Sequence, residues 1–313
     1  MTKRSVNRHF ISSVIAREPA CPVGRVRPWQ SPKSEHETAS CLAVTFRNVI
    51  KALLLSLVII SCSPQTEKLT IATAANMQFA MNALVEAYET ETGTQCEIIL
   101  GSSGKLTAQI QEGAPYDLFF SADTKFPEAL QASGNTIGEP VIYAQGQLVL
   151  WSMKENLLVS LDQLSSKEVS YIALANPKTA PYGLAAEQVL KRLNLYETNE
   201  SKFVFGESIS QVNQFIISQA AEMGFTAKSV VLSPNMSSKG NWITIPDSLH
   251  APINQAMVIL RNERSMTDEA QRFMEFVLSE KGKALLQKFG YKTPPSKPFP
   301  TEERLLCLLV VTA

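Results

Sequence analysis

Six residues of this 313-residue chain fall where a strand gives way to a helix and carry groups able to grip a ligand: Asn76, Ser102, Ser103, Tyr182, Ser208 and Ile209. They supply hydroxyls, an amide and main-chain N–H groups, with neither Lys nor Arg among them. Such a set brings no cation to a ligand, but it can surround a small dehydrated oxyanion with oriented dipoles. Each residue also has an ordinary use. Asn76 and Ser208 can cap helices, Ser102 and Ser103 can serve turns, and Tyr182 can cover a loop. What favours binding is the recurrence of the pattern at junctions in both halves of the chain.

Other chemistries lack their parts. Outside the N-terminal segment the only histidine is His250, which excludes a His-based metal site and leaves a Ser-His relay without support. There is no Gly-x-Ser-x-Gly elbow. The stretch Gly101-Ser-Ser-Gly-Lys105 falls short of a phosphate loop, with two residues between its glycines where that motif has four and Leu106 where it has Ser or Thr. Of five cysteines, Cys21 and Cys41 precede the body, Cys62 borders it and Cys307 follows it. Cys96 alone remains, so the body can hold no internal disulfide or thiolate cluster, and its place in the strand-like run 95–100 reads as a buried structural thiol. An enzyme is therefore not expected.

The net charge of zero conceals an asymmetry. Residues 1–62 carry nine Lys/Arg against three Asp/Glu, whereas residues 63–292 carry 18 against 24. An acidic body with no basic stripe argues against nucleic acid, and it means that bulk charge does not hold any bound anion.

Alternating apolar runs must position the junction residues. Strands are expected at 69–74, 96–100 and 117–122. They are separated by a helix with Met81, Leu84, Val85 and Tyr88 on one face and a short helix at 105–112, with Asp123 as a candidate cap. An extended run at 141–151 has Gly146 in its middle. A second set follows: strands at 171–175, 202–206 and 224–227, a helix at 184–193, and another capped by Ser208 with Ile209, Val212, Phe215, Ile216 and Ala220 on its apolar side. A strand at 256–260 and one long helix from Thr267, carrying Phe273, Phe276, Val277, Leu285, Leu286 and Phe289 inward, complete the body. The order implies an α/β fold of two lobes on parallel or mostly parallel sheets, with ligands at the carboxyl ends of strands.

The ends read differently. Arg47 and Lys51 precede the apolar run 52–60, then Ser61 and Cys62, the order of a lipoprotein signal peptide over 44–62 that would acylate Cys62. The run is too short to span a membrane. Residues 1–43 would then be a leader from a start site placed too early, with Val44 as the initiator. Residues 293–313 form a Pro-rich tail outside the fold.

Three blocks carry a family resemblance: Leu69-Thr-Ile-Ala-Thr-Ala-Ala-Asn-Met77, Gly101-Ser-Ser-Gly-Lys-Leu-Thr-Ala-Gln-Ile110, and Gly113-Ala-Pro-Tyr-Asp-Leu-Phe-Phe-Ser-Ala-Asp123. In order and spacing they resemble the periplasmic molybdate-binding proteins of ABC importers, and the similarity runs over residues 68–292. The resemblance implies a type II periplasmic-binding-protein fold, with lobe I formed by 68–145 and 247–292, lobe II by 146–246, and a ligand cleft between them. It implies a monomer with no cofactor that binds molybdate or tungstate and delivers it to a permease and its ATPase, here from a lipid anchor at the cell envelope. Sulfate is the alternative ligand. The ligand positions fall on Ala75, Asn76, Ser103, Tyr182 and Ile209, with Ser102 and Ser208 beside them. Where some members have a ligand tyrosine this chain has Ala227, and Tyr182 is expected to supply that hydroxyl from the neighbouring loop.

Overall fold

The computed structural model describes residues 67–264 and 266–294. The segment 1–43, the signal peptide with Cys62, and the tail beyond residue 294 lie outside the described residues.

Apolar runs form the strands, and amphipathic segments form the helices that cover them. The chain begins β1 (Leu69–Ala74), α1 (Gln78–Thr92), β2 (Cys96–Gly101), α2 (Ser103–Gln111), β3 (Leu118–Phe120), α3 (Lys125–Ala132), β4 (Thr136–Gly146) and β5 (Leu148–Ser152). It continues β6 (Ile172–Ala175), α4 (Pro181–Arg192), α5 (Tyr196–Asn199), β7 (Phe203–Gly206), α6 (Ile209–Ile217), β8 (Met223–Ala227), α7 (Lys228–Val231) and β9 (Asn241–Thr244). It closes with β10 (Ile253–Leu260), α8 (Thr267–Leu278) and α9 (Glu280–Lys288).

Two five-stranded sheets result, ordered β2-β1-β3-β10-β4 and β7-β6-β8-β5-β9. In the first, β1 pairs in parallel with β2 and β3, and β10 runs antiparallel to β3 and β4. In the second, β6 pairs in parallel with β7 and β8, and β5 runs antiparallel to β8 and β9. The sheets are thus mixed, each with one reversed strand in its fourth place, where the sequence pattern implied parallel or mostly parallel pairing. Strand β1 is buried on both faces. Ile71 packs with Met81, Leu84, Tyr88 and Phe273, and Ala72 with Leu106, Ile110 and Phe119. That two-sided burial is why its sequence shows no polar alternation.

Several local expectations are corrected. The run 141–151 is two strands, because the chain leaves the first sheet after Gly146 and enters the second at Leu148. The helix from Thr267 breaks at Ser279, whose extended backbone ends α8 and whose Oγ accepts from Gly282 N (3.2 Å) to start α9. Asn76 lies inside a 3₁₀ turn, Ala75–Met77, and caps nothing. Ser208 holds the N-cap position of α6, but its side chain makes no capping bond. Ala220 is exposed beyond the end of α6. Cys96 is half-buried, and burial, then Glu89 and Glu269, push its thiol up to about 12. Thr124 rather than Asp123 holds the N-cap position of α3, and Asp123, one residue earlier, accepts from Phe126 N through its Oδ1 at 3.2 Å.

Among the described residues no helix is long and apolar enough to cross a membrane, and no group of three or more His, Cys, Asp or Glu is placed to hold a metal ion.

Candidate functional site

Four strands end side by side and hand over to turns or helices that begin there. Strand β1 runs into the turn Ala75–Met77, β2 into α2, β6 by way of a short loop into α4, and β7 into α6. First-turn N–H groups have no partner within their own helix, so these starts turn donors toward whatever lies between them. What lies between them is one small cavity, lined by Ala75, Asn76, Ser102, Ser103, Tyr182 and Ile209 together with Ala74, Ala122, Ala180 and Pro181. Six of the seven residues singled out by sequence thus meet at one place. Ser208 is not in the lining; its carbonyl accepts from Gln211 N and Val212 N at 3.1 Å each. Ala227 is fully buried at the end of β8 and also lies outside the lining.

The cavity leaves about 10 Å³ open to the centre of a water molecule, within about 200 Å³ of space between atoms. The space open to solvent centres in this arrangement is that of about one water molecule. A larger depression of about 580 Å³ lies elsewhere, against α1, α8 and α9. Its charges are already paired, Lys281 with Glu91 at 2.9 Å and Arg272 with Glu269, and it is open to solvent, so it has no comparable claim.

The hydroxyls at the cavity differ in what they have left to offer. Ser103 Oγ accepts from Ala122 N (3.0 Å), which leaves its proton available. Ser102 is 4% exposed, and its Oγ has no partner among the described residues. A buried hydroxyl without a protein partner is costly unless a water or a ligand satisfies it. Both amide hydrogens of Asn76 are engaged, with Gln255 Oε1 and Tyr291 Oη at 3.1 Å each, so what Asn76 keeps for a ligand is its main-chain N–H.

Behind the cavity lies a buried polar network that the sequence did not announce. Gln255 on β10 is fully buried; its Oε1 accepts from Asn76 and from Tyr143 Oη (2.9 Å), and its Nε2 donates to Tyr182 Oη (3.1 Å). Tyr291 Oη donates to Asn76 O (3.1 Å), as does Ser229 Oγ (2.7 Å). Burial first, then the neighbouring tyrosines, raises the Tyr182 phenol well above its usual range, and burial pushes Tyr291 up to about 12. These phenols keep their protons at neutral pH, so among the residues lining the cavity none is charged. The one sequence signal for Gln255 was a polar pair, Asn254-Gln255, leading into the apolar run 256–260 of the strand.

Contacts between the sheets' surroundings close the cavity. Gly104 N donates to Thr179 O (2.9 Å), and a Cβ on Gly104 would stand 2.9 Å from Thr179 Cα, so only glycine permits that approach. Lys105 pairs with Glu207 at 2.6 Å on the rim. Gly146, where the chain passes from one sheet to the other, leaves room for the Tyr182–Gln255 pair, because a Cβ there would lie 2.1 Å from Tyr182 Oη and 2.6 Å from Gln255 Nε2.

Two α/β lobes that bring strand ends and helix starts to one small uncharged cavity define a two-lobed solute-binding protein. Comparison with known proteins agrees. Residues 69–292 match the family of bacterial extracellular solute-binding proteins. The chain is 36% identical to the molybdate-binding protein ModA of Azotobacter vinelandii, over 74% of this chain and 93% of that one. It is 33% identical to the ModA of Rhodobacter capsulatus, over 71% and 87%. The solved structure of the Azotobacter vinelandii periplasmic molybdate-binding protein superposes with a TM-score of 0.69 at 35% identity, covering 73% of this chain and all of that one. The chain belongs to this extracellular solute-binding family, among its ModA-like members.

Proposed function

We propose that this protein is the extracytoplasmic receptor of an ABC importer for molybdate, with tungstate as an equivalent ligand, and that it binds the anion without transforming it. The observation that carries this reading is the lining of the cavity, which gathers hydroxyls and helix-start N–H groups from both sheets' strand ends with no charged side chain. A tetrahedral oxyanion bound there would take main-chain N–H groups from Ala75, Asn76 and Ile209 and hydroxyl protons from Ser103, Tyr182 and Ser102. Hydrogen bonds to a charged acceptor are stronger than neutral ones, so such a set can replace hydration without a counter-charge. Tyr182 would stand in for the hydroxyl that Ala227 cannot supply. With no carboxylate at the cavity to accept a proton, monohydrogen phosphate is disfavoured.

In this reading lobe I comprises 68–145 and 247–292 and lobe II comprises 146–246. They close on the anion as a monomer, and the closed form is what a permease and its ATPase recognise. Anchoring through an acylated Cys62 would hold the receptor at the outer face of the membrane; fatty-acid labelling of the wild type but not of Cys62→Ser tests this.

Isothermal titration with molybdate, tungstate, sulfate and phosphate at physiological salt tests the function. Tight one-to-one binding of the first two alone is the expected result. Preference for sulfate would keep the neutral-donor argument and change the solute, and no binding of any oxyanion would refute the reading.

A further inference from the structure

On the reading of the site given above, we infer that Gln255 is a positioning residue that aims the Tyr182 hydroxyl proton at the bound oxyanion. Gln255 is a fully buried amide, a group tolerated inside a protein only when its hydrogen-bonding capacity is used. Gln255 Oε1 lies between two donors, Asn76 Nδ2 at 3.1 Å and Tyr143 Oη at 2.9 Å. With the Asn76 amide and the Tyr143 hydroxyl both donating, the Gln255 atom between them is the oxygen, and the group 3.1 Å from Tyr182 Oη is the Nε2 donor.

A phenol oxygen that receives an N–H must direct its own proton elsewhere. Among the described residues no hydrogen bond takes the Tyr182 proton: the Asn76 amide, like that of Gln255, faces the oxygen as a donor, and the Gly146 backbone occupies one flank closely enough that a Cβ would overlap it. Tyr182 lines the cavity, so the cavity is the direction left open. Without Gln255 the hydroxyl could rotate and accept instead of donate. With it, the donor is aligned before the anion arrives, which removes a reorganisation cost from binding. Gln255 belongs to β10 of one sheet and Tyr182 to α4 beside the other, so the alignment exists only while the two lobes are together.

The test is a double-mutant cycle on the full chain, with molybdate affinity read by calorimetry and fold integrity by thermal melting of the ligand-free protein. Gln255→Met and Tyr182→Phe should each weaken binding about tenfold, the low end for a hydrogen bond to an anion. The double variant should bind no worse than Tyr182→Phe alone. Equal losses from Gln255→Met in both backgrounds, or no loss in either, would overturn the inference, because a residue acting only on the fold would not need the phenol.

Should Gln255→Met fail to fold, Gln255→Glu keeps the shape. Its carboxylate can only accept, so it would take the Tyr182 proton away from the anion, and affinity should recover as falling pH protonates it. In Tyr182→Phe that part of the pH dependence should vanish. If it persists undiminished, simple charge repulsion explains the effect and the inference fails. Failure of the wild type to bind molybdate would instead refute the reading of the site.

Discussion

Replacing Ser102 by alanine should move stability and binding in opposite directions. Ser102 stands at the N-cap position of α2, where losing a serine usually costs about 1 kcal/mol, but its side chain makes no capping bond, so that loss does not apply. Its Oγ is buried without a partner, and deleting an unsatisfied buried polar group removes a desolvation penalty of about 1–3 kcal/mol. Part of that gain is lost to the small void left behind, so the ligand-free variant should be as stable as the wild type or more stable by up to about 1–2 kcal/mol. With the oxyanion bound, the same hydroxyl becomes a donor to a charged acceptor, worth about 1.5–3 kcal/mol, so affinity for molybdate should fall by roughly 10- to 150-fold. Urea denaturation of the ligand-free protein measures the first quantity, and calorimetric titration the second. A destabilised ligand-free variant, or one that binds as tightly as the wild type, would refute the assignment of Ser102 to the ligand.

Ser103→Ala should lower both quantities, because it removes a ligand donor and strands the Ala122 N–H that its Oγ now satisfies; about 1–3 kcal/mol of stability and a similar share of binding should go, by the same two assays. Glu207→Gln should change affinity less than about fivefold, since the Lys105–Glu207 pair is solvent-exposed on both sides and such pairs contribute at most about 1 kcal/mol. A larger loss in titrations at low and high salt would give the rim pair a role in closure that its exposure does not support. Alkali should destabilise the protein through its buried phenols. The folded pKa of Tyr291 is raised, so its contribution is intact below about pH 10 and is lost as pH climbs toward about 12. Melting temperature followed against pH, with phenolate absorbance, should show this loss, and a buried tyrosine titrating at its ordinary value would contradict it.

How much of this was written in the chain depends on the range of the interactions that decide it. The strand–helix alternation was legible because each run carries its own periodicity; Asn76, Ser103 and Ile209 could be picked out because they stand two or three residues past the ends of strands, and Tyr182 because it lies at the start of the helix after a Pro-containing loop. The reversal of β5 and β10 was not, since strand direction is set by partners far away in sequence, such as Phe119 opposite Val258. The break at Ser279 was hidden by the continuing apolar spacing from Phe276 to Leu286, although a serine followed at once by an acidic residue, Glu280, was a helix-start signal. Strand β9 is four residues long and half exposed, too weak a pattern to register. Gln255 was missed because everything that gives it a purpose lies at a distance: Tyr143, Tyr182 and Asn76 are 112, 73 and 179 residues away.

The placement of β10 between β3 and β4 also imposes an order of assembly. Every strand of the second sheet falls between Leu148 and Thr244, so that lobe is complete as soon as this continuous stretch has emerged from synthesis or export. The first sheet must wait, because until Ile253–Leu260 arrives β4 has no partner in it and β3 has an open edge. An unpaired strand edge is a template for the wrong neighbour. The chain therefore carries its most vulnerable surface early and covers it with one of its last elements, so loss of the C-terminal fifth would leave a finished second lobe beside a first sheet split in two.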